Sequence, residues 1–273
     1  VARRPIEYYY RMAARGSEDR SVLTRPAAAP DAVLAYGPGD EQVADVRFAE
    51  DPGRPVLVVV HGGFWRPQFD RVHVRPLTAA LAAAGWTTAT PEYRRVPGRP
   101  DLAVADVHEA VRAVARTPDL AGRPVVLVGH SAGGHLALQA AATPDPGHAP
   151  AGVLALAPVA DLRLAQALRL DGDAVPAFLG DDAVARPDLD PARLPAPGGA
   201  VRIVHGTGDD VVPVEVSESY ARHHPATVLT RVDCGHFALI DPRSTAWPAV
   251  LDALEGAAAG FSGGSGRLPG APR

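Results

Sequence analysis

Val125-Val126-Leu127-Val128-Gly129-His130-Ser131-Ala132-Gly133-Gly134 decides the architecture, together with the run His135–Ala142 behind it. The first four residues are apolar and three are β-branched, which predicts a short strand buried on both faces, as in parallel sheets. His135-Leu136-Ala137-Leu138-Gln139-Ala140-Ala141-Ala142 is rich in helix formers. Between them stands Gly-His-Ser-Ala-Gly, a G-x-S-x-G pattern. A chance match to so short a pattern has no reason to sit between a strand and a helix. In that setting the sharp turn strains the serine backbone and raises its Oγ above the sheet edge. The Ala132 N–H then lies at a helix N-terminus, where negative charge is stabilised.

Outward from this stretch, strands and helices alternate. Val33–Tyr36 and Gln42–Phe48 read as early strands around the turn Gly37-Pro38-Gly39. Pro55–Val60 is a further buried strand, Arg75–Ala84 a helix stopped by Gly85, and Trp86–Thr90 a strand. Asp101–Arg116 carries Val104, Val107, Val111 and Val114 on one helical face. Beyond the central stretch come strands at Val153–Leu156, Val201–Val204 and Val228–Val232, with helices near Pro213–His223 and Thr245–Ala259. The expectation is an α/β fold: a mostly parallel sheet with helices on both faces. Residues 1–259 form one domain in this reading. A short cap insertion at about 159–200 is rich in Pro and Asp, and Leu162–Leu170 is its one clear helix. Residues 5–20 suggest a short helix, and 260–273 have flexible-linker composition.

A serine hydroxyl needs a base, and the base needs an orienting acid. His236 follows the last strand in Asp233-Cys234-Gly235-His236-Phe237 and is the best candidate base. Val201–Val204 leads into His205-Gly206-Thr207-Gly208-Asp209-Asp210-Val211-Val212-Pro213, which makes Asp209 the favoured acid. Its neighbour Asp210 and the earlier Asp161 are alternatives, and Asp161 could instead cap the helix beginning at Leu162. All these positions lie past the C-terminal ends of strands, where open α/β sheets gather their sites. His61-Gly62-Gly63-Phe64-Trp65 ends another buried strand, and its two glycines can bring backbone N–H groups up to a substrate oxygen. Phe64 and Trp65 either wall a pocket or pack beneath the loop. His130 and Phe237, next to Ser131 and His236 in sequence, are further pocket candidates.

Composition narrows the classes. A net charge of −4 argues against nucleic acid as the main partner. All 27 basic residues are Arg, which with 28 Pro looks like genomic bias rather than a functional signal. No apolar run of transmembrane length occurs, and Val1-Ala2-Arg3-Arg4-Pro5 leads into a polar segment without a signal-peptide core. Cys234 is the only cysteine, so no internal disulfide can form. These features point to a cytoplasmic protein with no membrane partner. No HExxH or paired Cys/His spacing occurs, so neither a metal nor a cofactor is expected.

The elbow, the Gly-Asp-Asp-Val-Val-Pro segment and the late Gly-His resemble the α/β-hydrolase superfamily from about residue 33 to 258. The His-Gly-Gly-Phe-Trp loop, with Tyr93-Arg94 after the next strand, is similar to the HGG-x-W group of kynurenine formamidase-like (arylformamidase) enzymes and small carboxylesterases. That resemblance implies a Ser131–Asp209–His236 triad and an oxyanion hole from Gly62, Gly63 and Ala132. Hormone-sensitive-lipase-type esterases carry a third glycine where this chain has Phe64. The implied activity is cofactor-independent hydrolysis of a small-molecule ester or formamide. A peptidase, or a non-catalytic ligand-binding protein of the same fold, is the alternative. The first usually needs a large accessory domain, and the second is free to lose triad members that are all present here.

Overall fold

A computed structural model describes residues 18–51 and 53–259. The strands β1 (Ala32–Ala35) and β2 (Val43–Arg47) come first, then β3 (Val56–Val60), helix α1 (Arg75–Ala83), β4 (Thr88–Pro91) and α2 (Pro100–Arg116). The centre is β5 (Val125–His130) and α3 (Ala132–Ala142), followed by β6 (Gly152–Leu156). Two short helices, α4 (Leu162–Ala167) and α5 (Ala174–Leu179), belong to the insertion. The chain closes with β7 (Ala200–Gly206), α6 (Glu215–His223), β8 (Val228–Val232) and α7 (Trp247–Ala258). The strands form one eight-stranded sheet in the order β1-β2-β4-β3-β5-β6-β7-β8. Only the β1–β2 and β2–β4 pairings are antiparallel.

The alternation of side chains along each strand explains why the apolar runs are continuous. Val56, Val58 and Val60 join Leu127 in the layer beneath α2 and α3, with Val107, Val111 and Leu136. Leu57 and Val59 join Val126 and Val128 in the opposite layer, with Leu77 and Leu81 of α1 and Val250 and Leu254 of α7. Both faces of the central strands are therefore apolar because both are covered. The expected fold class is the observed one.

Three local expectations shift. Trp86 lies before β4, because Gly85 turns the chain with φ +87°. The Trp86 ring is instead buried beneath the Arg54 guanidinium, 3.6 Å away. The helix expected over Leu162–Leu170 ends at Ala167, and the insertion holds α5 and a 3-10 turn at Pro191–Arg193 besides. Left-handed residues from Arg169 to Asp173 separate α4 from α5, and Gly180 at φ +71° stops α5 against Gly98. At the N-terminus, Glu18–Arg20 are irregular and lead into a 3-10 turn at Ser21–Thr24. The remainder of the expected helix at 5–20 and the tail at 260–273 lie outside the described residues. No helix among the described residues is long and apolar enough to cross a membrane.

Candidate active site

β5 delivers Ser131 to the top of the sheet with φ 55° and ψ −120°, a conformation costly for any residue with a Cβ. Fixed partners hold it there. The Ser131 N–H donates to the Leu156 carbonyl at 2.9 Å, and its own carbonyl accepts from His135 and Val159. The turn can be this tight only because the next residues are small: a Cβ on Gly133 would fall on the Val60 carbonyl. α3 begins at Ala132, which is fully buried directly behind the serine.

The β7–α6 and β8 loops bring two more of the expected residues together. His236 Nδ1 donates to Asp209 Oδ2 at 2.6 Å, and both side chains are buried. The other Asp209 oxygen accepts the Val211 and Val212 N–H groups at 2.9 and 2.8 Å. Burial alone would push the Asp209 carboxyl up. The facing His236, with help from His205 and the Val212 N–H, holds it well below the usual carboxylate range. With Nδ1 committed to the carboxylate, Nε2 is left as the basic nitrogen of the His236 ring. Asp210 is exposed at the mouth of the site. Asp161 caps α4 by accepting the Leu164 N–H at 2.9 Å and also accepts the Ser219 hydroxyl. Neither alternative acid meets His236.

Ser131 and His236 line one cavity of about 380 Å³. Gly63 lines it too, with φ +112° and no room for a Cβ against the Phe69 ring. Gly62 lies deeper, where a Cβ would stand 3.1 Å from that of Ser131. Beneath the loop His61 is clamped: Nδ1 meets the Gly62 carbonyl at 2.8 Å and Nε2 meets Glu92 at 2.9 Å. The Tyr93 ring stacks on His61, and its hydroxyl donates to the His61 carbonyl at 3.0 Å. Arg95 also pairs with Glu92. This accounts physically for Glu92, Tyr93 and Arg95 after β4, whereas Arg94 pairs with Asp106 of α2.

The four pocket candidates divide. Phe64, His130 and Phe237 line the cavity. Trp65 does not, which corrects its reading as a pocket wall. It is buried, stacked on Phe178 of α5 at 4.4 Å and set edge-on to His135 of α3. Through these two contacts the ring ties the loop to α5 and to the elbow helix. His130 sits 4.5 Å from the His236 ring and meets the His236 carbonyl through Nε2. Burial, reinforced by His236, pushes its basicity far down.

Sequence reasoning missed several contributors. Arg20 and Leu23 wall the cavity, and Arg20 lies over the Phe237 ring. Glu18 accepts the Phe237 N–H, and Arg25 makes a two-pronged pair with Asp241. Nothing in local composition marks this segment, because its role depends on a partner more than two hundred residues away. Phe69, Val72 and His73 form another wall. Burial, then the neighbouring His61, lowers His73 to about 3. Cys234 is pushed up to about 11 by burial and nearby carboxylates, so its thiol is inert at neutral pH.

An eight-stranded, mostly parallel sheet with a serine at its central strand-to-helix turn is the α/β-hydrolase fold. Residues 57–246 match the alpha/beta hydrolase family, and the chain belongs to it. It is 35% identical over 126 residues to Esterase LipQ of Mycobacterium tuberculosis. That similarity covers 43% of this chain and 30% of LipQ, so the chain spans under a third of that relative's length. Among solved structures, Esterase B from Lactobacillus rhamnosis with a C6-C4 SN3 inhibitor superposes with a TM-score of 0.72 at 20% identity. The overlap covers 93% of this chain and 94% of that one. The propionate-bound esterase 2 of Thermogutta terrifontis has a TM-score of 0.64 at 23% identity, covering 82% and 92%. At these identities the structural likeness is one of fold.

Proposed function

We propose that this chain is a serine hydrolase that cleaves small carboxylic esters through an acyl-enzyme, with Ser131 as nucleophile, His236 as base and Asp209 as acid. The observation that carries the reading is the buried 2.6 Å contact between His236 and Asp209 beside the cavity that Ser131 lines. Ser131 Oγ attacks the ester carbonyl while His236 Nε2 takes its proton. The N–H groups of Ala132 and of the Gly62–Gly63 loop bind the resulting oxyanion. Collapse breaks the bond to the leaving group, which departs with the proton from His236. Water then attacks the acyl carbonyl, giving its proton to His236; the Ser131 Oγ–acyl bond breaks as His236 passes that proton to Oγ, and the carboxylic acid leaves.

The cavity supports a small substrate with a flat side. Phe64, Phe69 and Phe237 supply aromatic walls, and such rings reward planar partners. Short-chain aryl esters are the first choice, acetate ahead of octanoate. Aryl formamides follow, because formyl is the smallest acyl group and the His-Gly-Gly-Phe-Trp loop resembles that of arylformamidases. The esterase names of the relatives favour the ester over a peptide substrate. Fluorophosphonate labelling of the folded protein, read by mass spectrometry of the peptide bearing Ser131, tests the nucleophile. A panel of aryl acetates, aryl octanoates, aryl formamides and peptides tests the substrate. Labelling elsewhere overturns the first assignment, and a preference for octanoate or peptides overturns the second.

A further inference from the structure

His205 is a fully buried histidine to which the reaction above gives no role. It lies near the end of β7, four residues before Asp209. Its Nε2 meets two groups that can only accept, the Val212 carbonyl at 2.8 Å and Asp209 Oδ2 at 3.4 Å. Its Nδ1 meets the hydroxyl of Ser217, a fully buried residue of α6, at 2.7 Å. With a neutral ring one arrangement satisfies every partner: the Ser217 O–H donates to Nδ1, and the Nε2 proton is shared between the carbonyl and the carboxylate.

We propose that His205 is a positioning residue for the Asp209–His236 pair, locked in its useful tautomer by Ser217. This rests on the reading of Asp209 and His236 as acid and base. Two effects follow from the geometry. The bond to the Val212 carbonyl pins the turn whose Val211 and Val212 N–H groups hold Asp209 Oδ1, so the carboxylate cannot rotate. The longer contact to Oδ2 draws off part of the negative charge that faces His236 Nδ1. A donor behind an orienting carboxylate acts as outer partners do at metal sites, fixing geometry and tuning basicity.

The other titratable groups around the pair are few. Glu18 and Arg20 approach from the N-terminal segment, His130 from the end of β5, Asp210 from the β7–α6 loop, and Asp233 and Cys234 from the β8 loop. Among the described residues His205 bonds to Ser217, Val212 and Asp209 rather than to any of these, so changing it leaves their direct contacts in place.

The test uses the whole chain with an aryl acetate, comparing His205→Phe, His205→Gln and Ser217→Ala with the parent. Phe keeps the ring volume and removes both nitrogens, whereas Gln restores a donor at similar reach. His205→Phe is expected to lower kcat about tenfold with KM unchanged. It should also move the acid limb of kcat/KM to higher pH by roughly half a unit, because a carboxylate relieved of a donor stabilises the imidazolium more strongly. His205→Gln should recover most of both changes, and Ser217→Ala should show them at about threefold in kcat. If His205→Phe does not fold, Ser217→Ala decides the matter through its threefold loss in kcat and its shifted acid limb. A folded His205→Phe or Ser217→Ala variant with the parent kcat and pH profile overturns the proposal. So does a loss of rate with an unmoved pH profile that Gln fails to rescue. Asp209→Asn run alongside separates the two levels: full activity there overturns the acid assignment itself, whatever His205 does.

Discussion

Ser131 and the segment Arg169–Asp173 are both strained, but they are held in opposite ways. Ser131 sits at φ 55° in the most buried part of the molecule, with its backbone bonded to β6, α3 and Val159. Arg169, Asp171 and Asp173 have φ of 53°, 45° and 65° at the surface of the insertion. Their side chains make ion pairs with partial or full exposure, Arg169 with Asp173 and Asp171 with Arg66 of the Gly-Gly-Phe-Trp loop. Core hydrogen bonds over-determine the first conformation, whereas screened surface pairs hold the second. The candidate nucleophile is thus fixed by the core, and the segment at the surface by exposed ion pairs.

The largest effect should come from Ser131→Gly. It removes the nucleophile, so kcat should fall on the order of 10³ to 10⁶. Because glycine tolerates the strained backbone, the unfolding free energy should rise by about 1 kcal/mol. A variant retaining a tenth of the parent activity sinks the elbow assignment, and one that is less stable sinks the claim of strain.

Next come the two neighbouring carboxylates. Asp209→Asn should cost on the order of 10⁴ in kcat, since an amide in place of the carboxylate favours the wrong imidazole tautomer. Asp210→Asn should change kcat less than about threefold, in keeping with a residue at the mouth. Steady-state kinetics on both variants would expose a reversed assignment directly.

pH acts on the rigid region through stability. His130 and His135 bracket the elbow, and His73 stands across the cavity. All three are buried, and burial is the main cause that lowers them, His73 to about 3 and His135 to about 4. Between these values and the ordinary histidine range the unfolded chain holds more protons than the folded one, so stability rises with pH. Their contribution is complete above about pH 6.5 and is lost as pH falls toward 3–4, at up to ~1.4 kcal/mol per unit for each histidine. Urea midpoints that stay constant from pH 7.5 to 5 would contradict this.

The smallest effect belongs to the rim. Arg169→Gly relieves a left-handed residue whose side chain is mostly exposed, at the cost of one surface pair with Asp173. The balance should be a gain of a few tenths to 1 kcal/mol with kcat unchanged. A large destabilisation would mean that the insertion is held as firmly as the elbow.

The central strands were legible because their apolar runs need cover on both faces, and the elbow was legible because strand, turn and helix follow without a gap. The candidate acid was less so. Asp209 and Asp210 are adjacent, and only the turn that gives one of them two backbone N–H donors and the His236 ring separates them. Phe64 and Trp65 show the same limit, since neighbouring aromatics with left-handed backbones point to different places. Arg20 and Glu18 were invisible because their partner, Phe237, lies more than two hundred residues away.

By itself, then, the order of residues determined the alternation of strands and helices, the doubly covered sheet and the chemical types gathered at its C-terminal edge. These depend on local periodicity and on backbone needs that neighbouring residues satisfy. Only the tertiary structure decided which carboxylate meets His236, which aromatics face the cavity, and that His205 stands behind Asp209. Those are contacts between side chains on separate elements, and their distances are set by sheet register and loop packing rather than by spacing along the chain.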